Sequence, residues 1–171
     1  MLVNGNKLKQ TIKIKSMELD TISSMFEDSL YKFEDETKET PQEISNKIEK
    51  LEYQISMLQA AQKYYNTNII IEIDGTHQPL QAVINYVGGL SRLSKKWRDA
   101  AKTEKRRSLY GLSDKLKRNK DEEVAKATIS KQDALTTFKH IEKHVLKLRS
   151  IISESNNKMV EISFIDESLF D

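Results

Sequence analysis

The sequence has 171 residues, of which 32% are charged and 37% hydrophobic, with five glycines, two prolines and no cysteine. This length suits about one domain. A composition with many charged residues, a modest hydrophobic fraction and few turn formers favours long helices with narrow apolar seams. The lack of cysteine excludes disulfides and cysteine-ligated zinc or iron–sulfur sites. There is no run of about 18 apolar residues to form a membrane-spanning helix, and the first residues lack a signal-peptide core. We therefore expect a protein located in the cytoplasm, or in a virion assembled there.

The formal charge of +2 is unevenly distributed along the chain. Residues 18–43 hold nine acids and two bases, a net charge of −7, whereas residues 95–120 hold eleven bases and three acids, a net charge of +8. Because blocks of opposite charge attract each other, we expect the two to pair within a subunit or between subunits.

An acidic linker separates the first two predicted helices. Apolar residues recur at roughly helical spacing over residues 6–32, and the acidic stretch 34–39 follows them. We therefore interpret residues 1–39 as an N-terminal helix with its linker, and residues 40–171 as a helical-hairpin domain.

The second helix has the clearest start signal. Thr40 is placed to cap it, Pro41 to occupy its first position and Glu43 to complete a capping box. Apolar residues then recur at steps of four and three up to about Tyr65, a spacing that keeps one seam facing a partner helix. The seam includes Ile44, Ile48, Leu51, Ile55 and Leu58.

A strand pattern interrupts the helices at residues 68–73. Three β-branched residues in a row favour a strand, and Asp74-Gly75 supplies a turn after it. A lone strand is not stable, and residues 159–165 alternate in the same way. We therefore predict that these two segments pair, within one chain or between chains, through Ile69, Ile71, Ile73, Val160, Ile162 and Phe164.

Two more helices follow. The third begins near Pro79 or Leu80 and continues to about Arg107, with Gly88-Gly89 indicating a close helix crossing or a kink. The fourth begins near Ser130, where Ser130 and Asp133 form a capping pattern, and ends within 153–157. Apolar residues recur along both helices: Leu80, Val83, Ile84, Val87, Leu90, Leu93 and Trp97 in the third, and Leu135, Phe138, Ile141, Val145, Leu148 and Ile152 in the fourth.

The predicted fold class is mainly α: long antiparallel helical hairpins, bundle-like or coiled-coil-like, with a small two-stranded β element. Narrow seams on long helices often need more partners than one chain provides, so we expect a homo-oligomer or a larger protein assembly. We expect its packing to be carried by Ile48, Leu51, Ile55, Leu58, Val87, Leu90, Trp97, Phe138, Val145 and Leu148.

The sequence offers no catalytic constellation. His140 and His144 lie one helical turn apart, but the sequence HIEKH lacks the glutamate of a zinc-protease helix and offers no third ligand. We interpret both as solvated or seam-flanking residues, and His77 as a turn residue. There is no phosphate-binding loop or nucleophile motif, so we expect a non-enzymatic protein without metal or cofactor.

The basic block has two interpretations. Its lysines and arginines would meet phosphates while Trp97 and Tyr110 stack on bases, or the block is a solvated helix face or a partner for the acidic block. The nucleic-acid interpretation assigns contacts to Lys102, Lys105, Arg106, Arg107, Lys115, Lys117 and Arg118.

Several short motifs carry a family resemblance over residues 40–171: Tyr65-Asn66-Thr67, Asp74-Gly75, Leu80 at a helix start, and Ile129-Ser130 before the last helix. In this order they resemble the septicolysin-like family of small bacterial helical proteins. The family name implies membrane activity, and no catalytic residues carry over. This chain lacks an apolar pore-forming stretch, which argues against lysis.

Three functional hypotheses follow. The leading one is a structural or assembly protein that acts through helical oligomerisation, as a bacterial protein or a bacteriophage virion component, since its Lys-, Ile- and Asn-rich composition suits an AT-rich genome. The alternatives are a nucleic-acid-binding accessory protein that uses residues 95–120, and a membrane-active septicolysin-like protein, the least favoured of the three.

Overall fold

The computed structural model describes residues 1–31, 39–102 and 128–170. These residues form four α-helices and four short strands, and the predicted mainly α fold is confirmed. In chain order the elements are β1 Leu2–Asn4, α1 Gly5–Ser29, α2 Pro41–Asn68, β2 Ile70–Ile73, β3 Thr76–Pro79, α3 Leu80–Lys102, α4 Lys131–Ser155 and β4 Met159–Glu161, followed by a 3-10 turn at Glu167–Leu169.

The chain divides into two compact units, the first made of Met1–Ile84 with Ser150–Asp171 and the second of Asn85–Arg149. This division differs from the expected one at residues 39 and 40. The N-terminal helix belongs to the same unit as the segments after it, because α1 packs against α2 and β1 pairs with β4.

The core of the first unit lies along the α1–α2 hairpin. The α2 seam faces inwards at Ile44, Leu51, Ile55 and Leu58, all buried. Along α1, Leu8 and Lys15 are also buried and lie seven residues apart, the repeat of a coiled-coil seam. A lysine can occupy such a position because its long aliphatic stem packs like an apolar side chain.

Both predicted helix caps are confirmed. The Thr40 hydroxyl accepts a hydrogen bond from the Glu43 backbone N–H at 3.3 Å, and the Glu43 carboxylate accepts one from the Thr40 N–H at 2.8 Å. The Thr40 N–H, and then the Thr40 hydroxyl that also donates to this carboxylate at 2.9 Å, hold the pKa of the Glu43 carboxyl below its ordinary value. At α4, the Asp133 N–H donates to the Ser130 hydroxyl at 3.0 Å.

The predicted pairing of residues 68–73 with residues 159–165 does not occur within the chain, and their pairing between chains stays a prediction. Strand β2 pairs with β3, and β4 pairs with β1, so the described residues contain two separate two-stranded antiparallel sheets. Asp74 and Gly75 have φ angles of 49° and 80°, the left-handed conformation of a two-residue hairpin turn. This turn folds β2 back onto the next residues, and the short loop costs less chain entropy than a distant partner.

The partner of β4 is the start of the chain. Val3 lies opposite Val160, and the Ile162 N–H donates to the Met1 carbonyl at 2.8 Å. Of the other residues predicted to pair, Ile162 is buried beyond the strand end, whereas Phe164 is exposed and its ring meets Tyr64 edge-on. Alternation predicts a strand over residues 159–165, but the strand ends at Glu161, and alternation does not specify the partner.

The glycine pair in α3 does not mark a close helix crossing among the described residues. The helix runs without interruption through both glycines. A Cβ at Gly88 would come no closer than 3.7 Å to the Arg92 side chain, and one at Gly89 no closer than 4.0 Å. Residues 103–107 of the predicted helix lie outside the described residues.

A buried tyrosine joins segments of the first unit that are far apart in sequence. Tyr65, near the end of α2, is fully buried, and its hydroxyl lies 2.7 Å from the Ser155 carbonyl oxygen and 2.9 Å from that of Lys158. Burial raises the pKa of this hydroxyl, and the Gly5 backbone N–H acts in the opposite direction. The chain therefore connects the end of α4 to the end of α2 through one phenol.

Gly5 leaves the space that Tyr65 needs. A Cβ at Gly5 would lie 2.7 Å from Cε1 of the Tyr65 ring and 2.6 Å from Oδ1 of Asn156. These distances are too short for any real Cβ, so a larger residue would displace the ring or the amide. The start of α1 can approach α2 this closely because residue 5 has no side chain.

The Tyr65 contact predicts a specific dependence of stability on pH. Because the folded state raises the pKa of Tyr65, the stabilisation is complete below the ordinary tyrosine value of about 10 and is lost as the pH rises through the folded pKa. Tyr65→Phe should lower the free energy of unfolding by about 1–3 kcal/mol at neutral pH, since two carbonyls lose their donor. The variant should also lose part of the alkaline destabilisation. Urea unfolding at pH values from about 7 to 11 measures both effects. If the free energy of unfolding falls equally with rising pH in the wild type and the variant, the assignment is contradicted.

The Gly5 contact predicts opposite effects at two glycines. Gly5→Ala should lower the free energy of unfolding by about 1–3 kcal/mol, because overpacking displaces buried groups. Gly88→Ala, in an open part of α3, should raise it by up to about 1 kcal/mol through helix propensity. Urea unfolding of the two variants beside the wild type tests this, and a neutral Gly5→Ala would show that the close approach is relieved without cost.

Candidate interaction surface

The predicted packing residues divide into two groups. Leu51, Ile55, Leu58, Val87, Val145 and Leu148 are buried within the single chain, and Ile48, Leu90, Trp97 and Phe138 are half-exposed. The buried group therefore serves packing inside the chain. Of the predicted residues, the half-exposed group retains surface that another molecule could cover.

In the second unit, polar contacts define one side of the α3–α4 pair. The Ser94 hydroxyl donates to the Glu142 carboxylate, and the Arg149 guanidinium donates to the Ser91 hydroxyl at 3.3 Å. Ser94 is buried, so its hydroxyl needs this acceptor. Leu146 lies four residues after Glu142 and three before Arg149, which places it on the same side of α4.

An aromatic contact defines the other side of this helix pair. The Tyr86 ring meets His144 at 6.1 Å between ring centroids, with the two planes 71° apart. His140 lies one turn earlier on α4 and is exposed. Among the described residues, no three histidine, aspartate or glutamate side chains come together in a way that could hold a metal ion.

Tyr86 begins an apolar row on α3, which we call the α3 stripe: Tyr86, Leu90, Leu93 and Trp97. The steps of four, three and four place these side chains on one face of the helix. Tyr86 is 52% exposed and Leu93 41%, and the other two are half-exposed. The buried residues of this part of α3, Val87 and Ser94, lie beside the stripe. One helix partner therefore covers the neighbouring seam and leaves the stripe largely open.

A basic cleft lies at the other end of the α3–α4 pair. Its volume is about 330 Å³, and its apolar lining comes from Ala101, Leu135 and Phe138. Three basic side chains, together with Gln132, complete its lining: Arg98, Lys102 and Lys131. Lys102 is the one predicted nucleic-acid contact within the described residues. Lys105, Arg106, Arg107, Lys115, Lys117 and Arg118 lie outside them.

The predicted pairing of the two charge blocks stays a prediction. The described acidic residues of 18–43 belong to the first unit, and the described basic residues of 95–102 belong to the second. Within the acidic block, Glu39 forms a local ion pair with Lys47.

The sequence patterns do not predict two contacts of the first unit: the hydrogen bonds of the buried Tyr65 hydroxyl and the pairing of β2 with β3. Tyr65 was assigned to the end of a helix seam, and nothing in its spacing shows that its hydroxyl would be buried. Strand β3 lacks apolar alternation, since its residues are Thr-His-Gln-Pro. The available signal for β3 was the Asp-Gly turn, which is typical of a local hairpin.

Comparisons with protein-family models, with curated proteins and with solved structures each find no significant match. The resemblance to the septicolysin-like family, and the membrane activity that it implies, therefore stay predictions. Within the described ranges, every helix is too short or too polar to cross a membrane.

Proposed function

We propose that this chain is a non-enzymatic structural or assembly protein that self-associates through the α3 stripe. The observation that carries the proposal is a row of four large apolar side chains on a helix whose other apolar face is already buried; Tyr86 and Leu93 are exposed, and the other two are half-buried. Exposed apolar rows of this kind mark contacts with other molecules, because covering them removes apolar surface from water.

The stripe has the symmetry that a contact between two copies requires. In an antiparallel pairing of α3 with α3 of a second copy, Leu90 lies opposite Leu93, and Tyr86 lies opposite Trp97. Leucines then meet at the two-fold axis and aromatic rings meet at both ends. Two α3–α4 pairs joined in this way form a four-helix arrangement, the common solution for helices with narrow seams.

Burial of the stripe in this contact favours association. Full burial of one large apolar side chain contributes about 1.5–3 kcal/mol, and two copies contribute eight side chains that are each partly exposed. Part of this gain is offset by the lost freedom of the two molecules. Wider assembly follows if other faces also make contacts, as in a bacteriophage virion component, and the composition of the chain supports such a source.

The stripe predicts different effects of a charge on the two sides of the α3–α4 pair. Leu93→Glu should break the α3–α3 contact, because a carboxylate buried in the contact is strongly disfavoured. Leu146→Glu is the matched control, since Leu146 is 61% exposed on the side defined by Glu142 and Arg149. Light scattering and sedimentation should show an oligomeric wild type and control, and a Leu93→Glu protein of lower average mass with wild-type helix content.

Two results would contradict the proposal. One is a wild-type protein that stays monomeric at concentrations of about 100 μM, well above the Kd of a standard interface. The other is an equal loss of mass in both glutamate variants, which would show a general effect of surface charge.

A second candidate function is nucleic-acid binding at the basic cleft. The observation that favours it is the arrangement of Arg98, Lys102 and Lys131 around a lining that includes the Phe138 ring. Cations there would meet phosphates, and an aromatic ring can stack on an unpaired base. This candidate also draws on the basic residues between 103 and 127, which lie outside the described residues.

The second candidate predicts a salt-dependent affinity for single-stranded DNA. Binding of a labelled oligonucleotide should weaken linearly in log–log form with salt concentration, because each neutralised phosphate releases a counterion. Arg98→Glu combined with Lys102→Glu should weaken binding and reduce the salt slope. Lys47→Glu, on α2 in the first unit, serves as the control. Absence of binding at low salt would exclude this candidate.

A further inference from the structure

We infer that the outer edge of strand β2 is a second self-association contact, which pairs antiparallel with the β2 edge of another copy. This inference deepens the proposed self-association by adding a contact in the first unit, separate from the α3 stripe. It rests on the register of the β2–β3 hairpin, on the exposure of its edge residues and on the chemistry of its two edges.

The register determines which backbone groups face outwards. Ile73 pairs with Thr76 across the two-residue turn, and the Leu80 N–H donates to the Ile69 carbonyl at 2.8 Å. In an antiparallel pair, hydrogen-bonded and non-hydrogen-bonded residue pairs alternate. Ile71 and Ile73 therefore direct their backbone groups towards β3. The Ile69 carbonyl faces the same way, whereas the Ile69 N–H donates to the Tyr65 carbonyl of α2. The N–H and C=O groups of Ile70 and Glu72 point away from β3.

These outward groups have no backbone partner among the described residues. Strand β2 is hydrogen-bonded to β3 alone there, and no backbone hydrogen bond of the surrounding turns involves Ile70 or Glu72. Both side chains are exposed, with Ile70 at 50%. An open edge of this kind is a template for another strand.

The other edge of the hairpin is chemically different. The residues of β3 whose backbone groups face outwards are His77 and Pro79, by the same alternation. Proline has no N–H to donate, so this edge offers fewer hydrogen bonds and resists pairing. The hairpin therefore has one edge that can accept a strand and one that is blocked.

The sequence of β2 favours β2 of a second copy as the partner strand. In an antiparallel pairing centred on Ile71, Ile70 forms a hydrogen-bonded pair with Glu72 of the second copy, and Glu72 forms one with Ile70 of the second copy. Every outward N–H and C=O of these residues is then used. The two glutamates are diagonal neighbours and do not lie directly opposite each other.

The alternative registers are less favourable. A shift that places Glu72 opposite Glu72 of the second copy brings like charges together, which destabilises a sheet. A shift that places Ile70 opposite Ile70 moves Glu72 opposite Asn68 of the second copy, which belongs to helix α2. The pairing centred on Ile71 is the register that uses both residues without charge repulsion.

A disulfide test uses the natural absence of cysteine in this chain. Two full-length proteins are prepared, one with Ile70→Cys and one, with a longer tag, with Glu72→Cys. Hydrogen-bonded antiparallel pairs have Cα atoms about 5.5 Å apart, within disulfide range, whereas diagonal neighbours are about 7–8 Å apart. The proteins are oxidised separately and as an equimolar mixture, and the dimers are separated by size without reductant.

The expected result is a mixed dimer that forms at least about fivefold faster than either like dimer, since only the mixed pair has the correct spacing. Equal rates for mixed and like dimers would indicate random collision and would overturn the proposal. So would the absence of cross-linked dimer in proteins whose circular dichroism and melting match the wild type. In that case Glu72 would act as a charge that protects an edge strand.

A second measurement does not depend on cysteine. Glu72→Pro removes an outward N–H and leaves the hydrogen bonds of the hairpin in place, and it should lower the average mass in solution. His77→Pro makes the same change on the β3 edge and should not alter the mass. Equal masses for the two variants would contradict the edge contact.

The Leu93→Glu background separates this contact from the α3 stripe. If the mixed cysteine pair keeps its preference there, the edge contact stands even when the stripe contact is absent. If the mixed pair loses its preference only in that background, the two β2 edges come together only because the stripe joins the copies. The edge is then not an independent contact. Failure of the stripe proposal is read independently, from the mass of the Leu93→Glu protein without cysteines.

Discussion

The hydrogen bonding of the buried Tyr65 hydroxyl is the interaction on which the first unit depends. A buried hydroxyl must be paired, and here the acceptors are carbonyls at the end of α4 and just beyond it. The same ring fills the space that Gly5 leaves open at the start of α1. One side chain therefore holds three helix ends at one place. The β1–β4 sheet continues from these ends, because β1 leads into α1 and β4 follows α4.

The two units use their apolar residues differently. The first combines a helical hairpin with two small sheets, and its core residues reach complete burial at Leu8, Leu58 and Ile162. The described part of the second is a pair of helices. A helix pair buries one seam, so a helix with a wider apolar face keeps part of that face exposed. The open part of the α3 stripe is the remainder of such a face.

The two proposed contacts share a physical logic. Each is a short segment whose chemistry is complementary to itself when reversed: an aromatic–leucine–leucine–aromatic row on α3, and two outward-facing backbone rungs on β2. Contacts with two-fold symmetry join copies in pairs, and two different contacts of this kind on one chain extend the assembly beyond a dimer. Such an arrangement suits a protein whose role is to build a larger structure.

The sequence by itself determined the local elements, because their signals are local. The capping box at Thr40, the helix cap at Ser130, the seam along α2 and the Asp-Gly turn each act within a few residues. The tertiary structure decided which elements meet. Alternation predicts a strand over residues 159–165, of which residues 159–161 form one. It does not predict that β1 is the partner, since backbone hydrogen bonds carry no sequence code. Likewise, residues 5 and 88 are both glycine in the sequence. Only the position of the Tyr65 ring makes a glycine necessary at residue 5.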